Sequence, residues 1–353
     1  MSECDVLVIG AGPAGSTAAA SAARDGARVI LIDRRKQIGL PVQCAEFIPF
    51  QIASNLGIEA GAIAQRVEAM QTHLPNGKVI RTASRGIICN RDRVDQHLAS
   101  LAREAGAELL TGTRACGFDG DTVTAMKDGR SLTIKATVIV GADGPASLVR
   151  RWMGIAANRF VHARQQLLPL GQKLDATEIF FRREIPGGYG WVFPKGDMAN
   201  VGVGVDPVFG VAPSLAMAGF IAELAGRGLL KSGQPLSKTG GMIPVGGQSR
   251  LRQGNMVLAG DAAGHCHPIT GAGVPNAIMA GELAGEAAAR AAARHDLEIL
   301  GEYEESCRLF LGDSLDRAVR RRQLLDPYWQ ADSDDLSQAL KKSWIAFEEY
   351  NED

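Results

Sequence analysis

Residues 5–33 read DVLVIGAGPAGSTAAASAARDGARVILID. Val6 to Ile9 is an unbroken apolar run closed by a glycine, which reads as a buried strand. Gly10-x-Gly12-x-x-Gly15 follows, and an alanine-rich stretch then supports a helix to about Arg24. A second apolar run, Val29 to Ile32, ends in Asp33. Strand, glycine turn, helix, second strand and terminal acid, in that order, make the dinucleotide-binding β-α-β pattern. Gly10, Gly12 and Gly15, with Ala14 between them, let a pyrophosphate come close to the backbone. Unpaired N–H groups and the helix dipole favour an anion there. The Asp33 carboxylate can accept from ribose hydroxyls. Arg34 and Arg35 come next and would suit a 2′-phosphate, but an acid at the ribose argues against one.

Two later stretches extend the pattern. Residues 136–150, ATVIVGADGPASLVR, read as a strand, a turn holding Asp143 and a helix start. Residues 256–274, MVLAGDAAGHCHPITGAGV, read as a strand, Gly260-Asp261, a loop, and a helix opening at Gly271-Ala272-Gly273-Val274. Asp261 could hold a ribityl hydroxyl. The N–H groups of Gly271 to Val274 could face the O2 and N1 side of a flavin and stabilise its reduced, anionic form. With these three motifs the chain resembles the FAD-dependent oxidoreductases of the glutathione-reductase and aromatic-hydroxylase superfold. That resemblance implies two further FAD contacts. Leu98, Leu101 and Ala105 form a helical stripe, and Arg91 sits just before that helix, where relatives place a flavin-contacting arginine; a solvated helix-start charge is the other reading. Ala115, on a following strand, takes a position that in relatives lies against the adenine. There is no second GxGxxG, so electrons are expected from NAD(P)H bound without a Rossmann domain of its own, or from an electron-donor protein.

A chain of 353 residues is long enough for two domains. With 38 basic and 39 acidic side chains its net charge is -1, which gives nucleic acid no electrostatic hold. There is no apolar run long enough to span a bilayer, so membrane contact is at most peripheral. The first strand is expected directly after Met-Ser-Glu-Cys, so no signal segment is expected. Six scattered cysteines without a CxxC pair argue against zinc and iron–sulfur centres, and a cytoplasmic, thiol-reduced protein is the plain expectation. His265-Cys266-His267 has neither metal-ligand spacing nor supporting carboxylates. The expected fold class is α/β: a Rossmann-like FAD-binding domain with an inserted antiparallel-sheet substrate domain and C-terminal helices. Its expected boundaries are 1–65, 88–157 and 246–325 for FAD, 66–87 and 158–245 for substrate, and 326–353 for a helical tail. Alternating patterns such as EIFFR and ANVGVGV carry the sheet reading. Two long helices are expected over 274–294 and 298–320. Arg317 and Arg320–Arg322 read as a solvated basic face, or as a contact for a phosphate headgroup. Leu336, Leu340, Trp344 and Phe347 have helical spacing and should dock the tail on the substrate domain.

Residues 186–205, PGGYGWVFPKGDMANVGVGV, place Tyr189, Trp191 and Phe193 on one face of a hairpin. Periodicity alone reads them as core; the glycines around them suggest close approach of another group. This stretch resembles a signature of the geranylgeranyl reductase family, and so does Gly39-Leu-Pro41-Val-Gln-Cys44-Ala45-Glu46. Together with the FAD motifs the resemblance covers most of residues 1–320. It implies that the aromatic strand helps line a tunnel for a prenyl chain, and that Cys44, with Ala45, lies beside the flavin ring. Phe47 stands where the family usually has Gly, and Gln43 where Arg is common, so a smaller substrate is compatible with the pattern.

The expected activity is reduction of a carbon–carbon double bond in a prenyl or other apolar small molecule, by hydride from reduced FAD. Cys44 would give the proton, with Glu46 the next candidate acid and His267 a polar group near the reacting carbon; otherwise Cys44 is a small buried hydrophobe. Lys195 is read at the hairpin turn with its charge in solvent. Two rival functions share the motifs: an FAD-dependent monooxygenase of an aromatic or polyene substrate, and a flavoprotein electron-transfer or maturation partner.

Overall fold

The computed structural model describes residues 2–55 and 58–352. The chain forms two compact units. The first comprises residues 1–40, 92–159 and 244–317, and the second 41–91, 160–243 and 318–353.

The first unit is built on the opening motif. Val6 to Ile9 lie within the strand Ser2–Ile9, the helix is Pro13–Arg24, and the second strand is Val29–Ile32. Ser2–Ile9 pairs in parallel with Val29–Ile32 on one side and with Arg130–Gly141 on the other; Glu108–Leu110 and Met256–Leu258 extend the parallel set outward. The strand Arg130–Gly141 also pairs antiparallel with Thr122–Lys127, which pairs with Thr113–Asp119, the strand that carries Ala115. Near-continuous Val, Ile and Leu suit strands buried on both faces, and Val6, Leu7, Val8, Val138, Ile139 and Val140 are fully buried.

The long helix Val274–Arg294 packs on Pro13–Arg24 through small residues. A Cβ added to Gly281 would overlap the Ala14 carbonyl, and one on Gly285 the Ala18 carbonyl. These glycines set the separation of the two helices, and so the place of both N-termini. After them, the helix expected over 298–320 is Leu300–Cys307, a π turn at Arg308–Gly312, and Asp313–Leu325. Tyr303, Cys307, Leu311 and Leu315 are all buried, at a repeated four-residue spacing. An α-helix drifts by about 40° over each such step, and one wider turn takes up the drift.

The second unit carries an eight-stranded sheet. Most of its pairs are antiparallel, as the alternation implied, but Ala176–Phe180 runs parallel to Ile63–His73. The helix Pro213–Gly226 covers one face, where Phe220, Leu224 and Met217 meet Val192, Val201 and Val203. Residues 41–65, expected with the FAD domain, belong here, because Phe47–Pro49 pairs with Val79–Cys89 and so joins this sheet. The tail belongs here as well. The helix Ser333–Ser343 buries Leu336 and Leu340, and the Ser337 hydroxyl accepts from the Asn76 N–H at 3.1 Å. Trp344 and Phe347 lie beyond that helix and are still buried. Arg322 is not on a solvated face: it is buried and donates to the Gly187 carbonyl at 2.5 Å and to Asp206 at 3.0 Å. Arg321 donates to the Glu352 carbonyl.

Candidate active site

In the first unit the three glycine motifs meet at the C-terminal ends of adjacent parallel strands, where open α/β sheets bind ligands. Gly10 has φ +103, and a Cβ on it would strike Ala142 and approach Asp143; the Ala142 N–H donates to the Ile9 carbonyl. Gly260, at φ +65, lies over Ala14, and the Ala259 N–H donates to the Gly141 carbonyl. A Cβ on Gly15 would overlap the Gly10 carbonyl. Gly12 differs, with no atom within 4 Å of where its Cβ would be. It begins a helix that has neither a side-chain cap nor an acid in its first turn. The helix that starts at Val274 likewise has no side-chain cap at Gly273 and no acid in its first turn. Two uncapped N-termini, one beside open space, form a cradle that fits a pyrophosphate and a second electron-rich group. The residues present therefore fit FAD.

The acids in this unit have partners of their own. Asp33 accepts from the Ala11 N–H at 2.8 Å and the Arg35 N–H at 2.7 Å, so it ties the glycine turn to the end of the second strand. Asp143 accepts from the Ser147 hydroxyl at 2.5 Å and the Leu148 N–H at 2.6 Å, which anchors the start of the helix Leu148–Trp152. Burial pushes its carboxyl up, against the pull of those hydrogen bonds. The Asp261 carboxylate lies 3.4 Å from where a Gly273 Cβ would be, beside the long helix's N-terminus. Gly271 has φ +68 and donates its N–H to the His267 carbonyl; the His267 N–H donates to the Ala272 carbonyl. The His267 Nδ1 accepts from the Thr270 N–H at 3.2 Å, so the ring proton sits on Nε2. Burial pushes this ring down to about 4. At neutral pH it is uncharged, and it serves better as a hydrogen-bond donor than as a proton source.

In the second unit the two signature stretches form one network. Glu46 is 2% exposed and has φ +74, a left-handed conformation that is costly for a side-chain-bearing residue. Its Oε1 accepts from the N–H of Arg91, the first residue of the helix Arg91–Glu104, at 2.8 Å. Its Oε2 accepts from Lys195 Nζ and Asn200 Nδ2, both at 2.6 Å. Lys195 is thus an ion-pair partner and not a solvated turn residue; the turn itself is Gly196-Asp197. Cys44 is half-buried. Its Sγ accepts from the Glu46 N–H at 3.2 Å, and its carbonyl accepts from Gln165 at 2.9 Å. The other end of the Gln165 side chain accepts from Trp191 Nε1, also at 2.9 Å. The Ala45 carbonyl accepts from Asn200.

The aromatic residues do share one face. Trp191 and Phe193 are buried, Tyr189 less so, and Tyr189 meets both Trp191 and Trp344 edge to face, with centroids 6.0 and 5.4 Å apart. The glycines beside them are explained within the protein. Trp191 fills the space over Gly202, Phe220 packs on Gly190, and the Gly204 carbonyl abuts Gly188. Sequence reasoning missed Gln165 and Asn200. Asn200 had a signal, as the lone polar residue of the apolar strand Met198–Val205; Gln165 sits among His162, Arg164 and Gln166 in Phe160–Pro169 and had none.

An FAD-binding domain model matches residues 3–170, and a geranylgeranyl reductase catalytic domain model matches residues 161–241. The digeranylgeranylglycerophospholipid reductase 1 of Methanothermobacter thermautotrophicus is 34% identical, over 97% of this chain and 91% of its own length. The chain belongs to the geranylgeranyl reductase family. Another family member, the digeranylgeranylglycerophospholipid reductase of Methanosarcina acetivorans, is 35% identical over 96% of this chain and 88% of its own. A geranylgeranyl bacteriochlorophyll reductase-like protein from Thermoplasma acidophilum superposes with a TM-score of 0.85 at 26% identity, covering 98% of this chain and 97% of that one. The flavin-dependent halogenase CmlS, at 18% identity and TM-score 0.74 over 96% of this chain and 68% of its own, shares the fold. Like its family, the chain is an FAD-dependent reductase.

Proposed function

We propose that this protein saturates carbon–carbon double bonds in the prenyl chains of a glycerophospholipid. Similarity along nearly the whole chain to two digeranylgeranylglycerophospholipid reductases supports that substrate class. The observation that carries the reading is that the Cys44–Glu46 loop and the aromatic hairpin, the two stretches not needed merely to hold FAD, are bound into one network.

Reduced FAD supplies the hydride. Gly10, Gly12, Ala14 and Gly15 admit the pyrophosphate, Asp33 and Ala115 serve the adenosine half, and Asp143, Gly260 and Asp261 shape the turns around the rest. The N–H groups of Gly273 and Val274, at the uncapped start of the long helix, would hold negative charge on the ring, with His267 Nε2–H as a further donor; Gly271 and Ala272 shape the loop, their N–H groups donating to the His267 carbonyl and the Thr270 hydroxyl. The Cys44 sulfur already accepts from the Glu46 N–H, so its own proton can be given to the carbon that does not take the hydride. Tyr189, Trp191 and Phe193 form the apolar wall and keep water away. No helix among the described residues is long and apolar enough to cross a membrane. The reducing equivalents come from NAD(P)H or from a donor protein.

The test uses the FAD-loaded protein, reduced with dithionite without oxygen and given a geranylgeranyl-chain glycerophospholipid in detergent. Mass spectrometry should show gains of two hydrogens per double bond. Cys44→Ser should keep its FAD and slow the reaction by about 100-fold. Gly12→Asp, which sets a carboxylate in the open space at the helix start, is the FAD-free control. If the loaded protein consumes oxygen to hydroxylate the lipid and gives no saturated product, the reading fails.

A further inference from the structure

Glu46 is a buried acid held on both carboxylate oxygens, and its surroundings assign it a role other than proton donor. Three donors converge on its carboxylate: the Arg91 N–H, the Lys195 ammonium and the Asn200 amide. The backbone on either side is also tied down, since the Glu46 carbonyl accepts from the Cys89 N–H at 2.9 Å and the Glu46 N–H points at Cys44 Sγ. A residue at φ +74 persists when its surroundings over-determine it. Here the left-handed φ sets the angle between the N–H aimed at the Cys44 sulfur and the side chain and carbonyl that Arg91, Lys195, Asn200 and Cys89 hold. All three partners are donors, so both carboxylate oxygens are engaged as acceptors within the protein.

We infer that Glu46, held by Lys195 and Asn200, is a positioning residue that fixes the Cys44 thiol for the proton transfer. The clamp acts through the backbone. Lys195 and Asn200 stand at the turn end of the aromatic hairpin, so they set the carboxylate, the turn at Glu46 and then the sulfur. Gln165 holds the same loop from its other end by bridging the Cys44 carbonyl to the Trp191 indole. Hairpin and thiol therefore keep a fixed relation. The inference rests on the proposed role of Cys44, but half of its test is independent of that role.

The test reads the thiol itself. In a Cys116→Ser background, which removes the one fully exposed thiol among the six, the rate of Cys44 alkylation by iodoacetamide is followed by peptide mass spectrometry across pH 6–9. Anaerobic reduction of the geranylgeranyl lipid is measured on the same FAD-loaded samples. Glu46→Ala frees the loop: alkylation of Cys44 should speed up by at least about 10-fold and kcat fall by at least about 10-fold, with KM little changed, since small misplacements of a reacting group cost that much. The double variant E46Q/K195M keeps an acceptor oxygen for the Arg91 N–H and, with the Asn200 amide turned over to accept from the new NH2, a hydrogen bond to Asn200, without leaving a buried charge unpaired; it should recover both quantities to within about 3-fold of the parent. If E46Q/K195M alkylates like the parent but turns over as slowly as Cys44→Ser, Glu46 takes part in the chemistry and the inference is overturned. It is overturned equally if Glu46→Ala leaves the alkylation rate and its pH profile unchanged. Absence of lipid reduction in the parent would sink the proposed function and leave the alkylation result to stand by itself.

Discussion

The decisive residues are small ones that make room and buried ones that carry charge or neutral nitrogen. Gly10 and Gly12 look alike in the motif, yet one is hemmed in by Ala142 and the other opens on free space. His265 shows what burial does to a titrating group. It is fully buried, neither ring nitrogen has a hydrogen-bond partner, and burial pushes the ring down to about 4. His267 is pushed to a similar value. In the unfolded chain each ring titrates near 6.5. Between pH 6.5 and 4 the unfolded state thus binds more protons than the folded one, and stability falls as pH falls, by up to about 1.4 kcal/mol per pH unit for each ring. His265→Leu removes one share of that slope and two unpartnered nitrogens. Urea melts at pH 7.5 and pH 5.0 should show the variant gaining on the parent at the lower pH; equal slopes would refute the assignment.

Among the elements, the aromatic hairpin shows how a strand glycine can be mistaken for a ligand contact. Gly202 lies across from Trp191 in the register, and the indole occupies the volume of the missing side chain. Gly202→Ala should cost about 1–3 kcal/mol by overpacking. In combination with Trp191→Leu the penalty should shrink, giving a coupling energy in a double-mutant cycle. Additive losses would mean that the indole does not depend on Gly202. The same strand pair carries Asn200 and Lys195 to the Cys44 loop, so the hairpin supports the thiol as well as forming an apolar surface.

Across the whole molecule, the two units collect their residues from separate stretches of chain. The tail shows the consequence. Trp344 packs edge to face on Phe181, 163 positions earlier, and on Tyr189, 155 positions earlier, at centroid distances of 5.1 and 5.4 Å. Trp344→Ala should cost about 3–5 kcal/mol in chemical denaturation of the second unit. Trp344→Phe should cost clearly less, because the indole N–H has no hydrogen-bond partner to lose. Equal losses for the two would show that the nitrogen, and not the ring packing, matters.

The first unit was legible because its signals are local. A turn that needs positive φ selects glycine, a strand buried on both faces selects an unbroken apolar run, and a phosphate-ready helix start excludes an acid. Gly10, Asp33, the long helix at Val274 and the aromatic periodicity could all be read within a few residues of sequence. The sequence also located both family signatures. Tertiary structure alone decided what the polar residues in them do. Lys195 reads as a solvated turn residue until the chain brings Glu46 to it from 149 positions away; Gln165 reads as an ordinary strand residue until Cys44 and Trp191 close on its two ends. A buried charge or amide is tolerated only where its partner is, and that partner is chosen by the folding of distant segments and not by neighbours in the chain.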